Sequence, residues 1–135
     1  MPRMPRSWMV AAIAASIAAC SPADHAYYAR GKVVQAVSDG FAATQAYDRY
    51  LQSRNAHPAS PADIALAARP GTYSSVALER DRIVLVLDSN LPTGRFAIVG
   101  KPITFSAQQA AGKRSWTCAR GELAETIMPE SCRQR

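Results

Sequence analysis

The sequence has no apolar run long enough to cross a hydrocarbon core as a helix, which takes roughly 20 residues. Its nearest approach is Trp8 to Ala19, mostly Ala, Ile, Val and Met, broken by Ser16. Glycine is missing altogether from residues 1–30. Cysteine is scarce, and the count of three is odd, so at least one thiol has no partner within the chain. The two histidines, His25 and His57, stand alone, whereas zinc sites draw on closely spaced Cys or His pairs, so no metal set is expected. No serine sits on a Gly-rich elbow, so Ser74, Ser75, His57 and the aspartates do not spell a nucleophilic triad. Neither catalysis nor a cofactor is expected. The net charge is +6, but the basic residues are scattered, without the dense aromatic-interleaved stripe of nucleic-acid binders. Nucleic acid is therefore a weakly supported partner.

What is present begins at the N-terminus. Met1 to Arg6 carries Arg3, Arg6 and no acid, the apolar run follows, and small residues precede Cys20. A charged start, a short apolar run and small residues before a cut describe a secretory signal. Ile17-Ala18-Ala19-Cys20 resembles the bacterial lipobox, in which the cysteine is diacylated and becomes the mature N-terminus. The odd cysteine would then be Cys20, capped by lipid, with residues 1–19 the signal and 20–135 the mature domain. The alternative is an alanine-rich helix that contains a buried cysteine. Cutting ahead of Cys20 removes Arg3 and Arg6 and leaves 14 basic against 10 acidic residues, a net +4. Ser21 gives no inner-membrane retention cue of the aspartate kind, so an outer-membrane lipoprotein is the expected address. Export also places Cys118 and Cys132 where disulfides persist, and they are expected to close the tail into a loop.

The remaining length is one domain's worth. Ser21-Pro22-Ala23-Asp24 opens a helix with a cap residue, a proline at the first position and an acid in the first turn. Val33, Val34, Val37, Phe41, Thr44, Tyr47 and Leu51 then recur at helical spacing, with Lys32, Gln35, Asp39, Gln45, Asp48 and Arg49 largely opposite. Asn55 to Pro58 ends the helix, and Ser60-Pro61-Ala62-Asp63 starts a shorter one through about Ala68. After Pro70-Gly71 the period changes to two. Ser74, Val76 and Leu78 fall on one face of a strand, with Tyr73, Ser75 and Ala77 on the other. Ile83 to Leu87 is apolar throughout, as in a strand covered on both faces. Residues 88–100 read as loop, Ile103, Phe105 and Ala107 as a third strand, and Trp116 and Cys118 as a fourth. The expected fold is α+β: a long N-terminal helix packed on an antiparallel sheet of about four strands, with a disulfide-closed C-terminal loop.

Three stretches carry a family resemblance. "YYARGKVVQAVSDGFAATQAYDRYL" resembles the exposed half of the long helix of type IV pilins, "GTYSSVALERDRIVLVLD" is similar to their first hairpin, and "SWTCARGELAETIMPESCR" resembles their C-terminal loop. The resemblance implies a structural or adhesive protein of the type IV pilus system, with pilins or pilus-assembly proteins as partners.

The chain also departs from the family. Pilins are cut after a glycine ahead of a strongly apolar helix that carries a glutamate. Counting back from Pro22, the glutamate position falls on Pro5, which cannot pair with a neighbouring subunit's amine or continue a helix comfortably. The reading is a pilin-like head on a lipid anchor rather than a shaft subunit. Two alternatives stay open: a small envelope lipoprotein that uses a pilin head to bind DNA, phage or a pilus subunit, and an ordinary pilin whose true start lies upstream. Lys113, Arg114, Arg120 and Arg133 are the candidate partner-binding residues, and Glu122, Glu125 and Glu130 read as solvated loop charge.

Overall fold

A computed structural model describes residues 22–135. Helix α1 runs from Pro22 to Arg54 and stops where Asn55 takes a left-handed conformation (φ 51°). Strands β1 (Tyr73–Glu79), β2 (Arg82–Leu87), β3 (Pro102–Ala110) and β4 (Lys113–Ala119) form one antiparallel sheet in the order β1-β2-β3-β4. The β3–β4 turn places both Ala111 (φ 53°) and Gly112 (φ 74°) in the left-handed region, the mirror-image two-residue turn whose twist matches that of the paired strands. The shorter helix expected over 60–68 is a single 3-10 turn, Pro61–Ile64. Asp63 accepts the backbone N–H groups of Ala59 and Ser60, and Ala65, at φ 54°, ends the turn.

The core lies between α1 and one face of the sheet. From the helix it takes Ala29, Val33, Ala36, Val37, Ala43, Thr44 and Tyr47; from the sheet it takes Tyr73, Ile83, Leu85, Leu87, Ile103, Phe105 and Cys118. The helix face differs from the valine-centred stripe read from the sequence: Val34 is 48% exposed, and Phe41 and Leu51 are half-buried. Small residues make the close contact instead. At buried Gly40 the Phe105 ring occupies the space that a Cβ would need, and Phe41 meets that ring edge-on at 5.2 Å.

Two sheet expectations are corrected. An irregularity in the β1–β2 register between Tyr73 and Ser75 returns Tyr73 to the inner face, opposite Leu87 and on the side of Val76 and Leu78, while Ser74 is exposed. In β2 only Ile83, Leu85 and Leu87 are buried, and Val84 and Val86 are half-exposed. The helix therefore covers one face of the sheet, and the apolar run comes from β-branched residues on the other face, opposite Ala77, Ser75, Thr104 and Pro102.

The tail folds back onto the end of β4. Cys118 and Cys132 are bonded, 14 residues apart in sequence, and both are buried. Leu123, Ile127 and Met128 between them fill the core, and Ala119 pairs with Gln134 as a parallel bridge. Among the described residues no helix is long and apolar enough to cross a membrane.

Candidate functional site

The densest side-chain cluster lies at the end of α1 remote from Pro22. The alternation of β4 turns Arg114 inward, where its side chain is 18% exposed. Its Nε donates to Asp48 Oδ1 at 2.7 Å and its Nη2 to Asp81 Oδ1 at 2.6 Å. The guanidinium also lies over the rings of Tyr47 and Trp116, with centroids at 5.2 and 5.1 Å. Burial alone would lower its pKa, but the hydrogen bonds to Asp48 and Asp81 outweigh that and raise it above the ordinary arginine value. Trp116 Nε1 donates to the Asp48 carboxylate at 3.0 Å. The Tyr47 hydroxyl accepts the backbone N–H of Asp81 at 2.9 Å and shares a hydrogen bond with His57 Nδ1 at 2.7 Å. The cluster thus ties the helix, the β1–β2 turn, β4 and the segment after α1 together. One guanidinium is shared between two carboxylates, so the cluster works as a clamp.

A second polar cluster sits midway along the helix. Asp39 accepts from Arg69 Nη1 at 2.8 Å, from the Tyr73 hydroxyl at 3.0 Å and from Gln35 Nε2 at 2.9 Å. Burial and the hydrogen bond to Asp39 push the Tyr73 phenol up to about 12. Neither cluster was singled out in the sequence. The available signal was the pair Asp39 and Asp48 on the polar side of the helix, and only tertiary contact supplies their partners.

The four candidate partner-binding cations occupy two separate places. Lys113 is exposed at the β3–β4 turn, beside the inward Arg114. Arg120 lies seven positions further on, about 23 Å away at strand rise. Its Nη1 donates to the Leu123 carbonyl at 2.7 Å and its Nε to the Arg133 carbonyl at 2.9 Å. Arg133 is exposed, and its Nε donates to the Met128 carbonyl at 3.4 Å. Arg120 and Arg133 therefore fasten the tail. Glu122, Glu125 and Glu130 are exposed. Among the described residues no group of three or more His, Cys, Asp or Glu could hold a metal ion. Cys20 and the signal assigned to residues 1–19 lie outside the described residues.

A long helix laid along one face of a four-stranded antiparallel sheet, with a disulfide-closed segment completing the core, is the architecture of the described residues. The family model for pilin, the bacterial filament protein, matches residues 29–133, from the helix to the second cysteine of the bridge, and the chain belongs to the pilin family. No curated protein matches it. The type IV pilin resemblance and the α+β fold expected from the sequence both hold, and so does the Cys118–Cys132 bridge.

Proposed function

We propose that this pilin-family protein is a membrane-tethered head of the type IV pilus system, held by a lipid on Cys20 and presented to pilins or pilus-assembly proteins, and that it does not build the filament shaft. The observation that carries this reading is the junction of two sequence signals. The stretch matched by the pilin family begins at Ala29, nine residues after Cys20, which closes the lipobox-like segment Ile17-Ala18-Ala19-Cys20. Shaft building requires subunits to bury strongly apolar helix halves against one another. The segment ahead of Pro22 contains Pro2, Pro5 and two arginines and is dominated by alanine, which buries less apolar area than Leu or Ile.

In this reading residues 1–19 are a lipoprotein signal and the acylated domain sits in the cell envelope, at the outer membrane. The exposed Lys113 turn and the tail around Arg133 offer it two contact points, where a few well-placed side chains can supply most of an affinity. The test is metabolic labelling with palmitate of the wild type and a Cys20→Ser variant. Label in the first and none in the second is expected; equal labelling of both would remove the tether.

A further inference from the structure

Among the described residues four large apolar side chains are exposed, and three of them line a single groove. They are Tyr27 (73% exposed), Val34 (48%) and Leu91 (42%), in an open groove of about 530 Å³ between the first turns of α1 and the loop after β2. Arg30, Lys32 and Arg69 also line it, and no carboxylate does. Arg69 is paired with Asp39, but among the described residues Arg30 and Lys32 hydrogen-bond neutral groups, the Thr126 carbonyl at 3.4 Å and the Asn90 side chain at 2.8 Å. Apolar walls under unneutralised cations suit a molecule that joins an anionic head to an apolar body.

The geometry points to an anionic phospholipid as the occupant, so that the groove is the surface on which the head rests against the membrane. Tyr27 is five residues into α1, about 7.5 Å along the axis, and Cys20 precedes Pro22 by two residues. Even a fully extended link therefore keeps Cys20 within about 15 Å of the Tyr27 backbone. An anchor there brings the groove to the headgroup layer. Tyrosines with apolar neighbours favour that layer, and cations near an anionic leaflet add attraction. The inference rests on the tethered reading for its orientation.

The two are separated by hydroxyl-radical footprinting of the full chain mixed with vesicles, which reads contact at the groove whether or not Cys20 carries a lipid. Tyr50 is the internal reference, on the same helix about 35 Å beyond Tyr27 and outside the groove. Replacing phosphatidylcholine vesicles with ones containing phosphatidylglycerol should lower the Tyr27-to-Tyr50 oxidation ratio about fivefold or more, with Leu91 following Tyr27. An Arg30→Gln/Lys32→Gln variant should keep the phosphatidylcholine ratio in both lipids. An unchanged ratio in the wild type, or equal protection of the variant, would overturn the proposal. Protection found only in whole envelopes and never in lipid vesicles would overturn it in favour of a protein occupant.

Discussion

Replacing Gly40 with alanine sets two physical effects of opposite sign against each other. In an exposed helix interior the change stabilises by about 1 kcal/mol, because alanine loses less backbone entropy. Gly40 is buried, and a Cβ there would collide with the Phe105 ring; the most distant of the three nearest ring atoms, Cε1, lies only 2.8 Å away. The ring is fully buried and braced by Phe41, so it cannot swing into solvent. Overpacking of this kind typically costs about 1–3 kcal/mol, and with a collision across the whole ring edge the upper end applies. The net expectation for Gly40→Ala is a loss of about 1–2 kcal/mol, a fall in Tm of roughly 5–10 °C. Phe105→Leu alone should also destabilise, by opening a cavity. In the double variant the new methyl occupies that space, so the two losses should fall short of additive by about 1 kcal/mol. Thermal melts of the two single variants and the double variant complete the cycle. A rise in Tm for Gly40→Ala, or strict additivity, would refute the packing argument.

The remaining predictions concern the clamp, the bridge and the buried phenol. Asp48→Ala takes an acceptor from Trp116 and one of two carboxylates from Arg114; it should cost about 1–3 kcal/mol in urea denaturation, and Asp48→Asn, which keeps one acceptor oxygen, should cost less. The Cys118→Ser/Cys132→Ser variant releases a loop whose closure contributes about 3 kcal/mol, so it should melt lower and be cleaved first within residues 120–135; two alkylatable thiols at 118 and 132 in the unreduced wild type would contradict the bridge. Tyr73 keeps its proton to about pH 12 in the folded state, while the unfolded chain releases it near 10. Its contribution is therefore complete below pH 10 and lost as the pH climbs towards 12. Wild type should lose roughly 2–3 kcal/mol more than Tyr73→Phe across that window, and parallel stability curves would exclude the effect.

The sequence revealed most of the fold because its largest features are periodic and punctuated. The helix ends at Asn55 as its turn residues indicate, and the change from helical to alternating spacing falls after Pro70-Gly71. The misread positions are those where a neighbour decides. Val34 looks like core but lies at the groove, while the small residues Ala29, Ala36 and Ala43 are buried and Gly40 makes room for the Phe105 ring. One irregular residue pair in β1 moved Tyr73 to the other face, a shift that no two-residue period can signal. Of the candidate cations, Arg114 points inward with Trp116 and Cys118 on β4 and is held there by Asp48 and Asp81, 66 and 33 residues away in sequence. Such pairing is invisible along the chain. The Cys118–Cys132 bridge was legible because the odd cysteine, Cys20, was assigned to the lipid, leaving two thiols in an exported domain.

The central claim, a tethered head rather than a shaft subunit, is tested most directly by shearing pili from cells that express a tagged full-length chain and quantifying the tag in filaments and in membranes. The account predicts that the tag stays with the membranes and that crosslinking there recovers pilins or pilus-assembly proteins. Recovery of the chain in purified filaments as a repeating component, in fixed ratio to the other subunits, would contradict it.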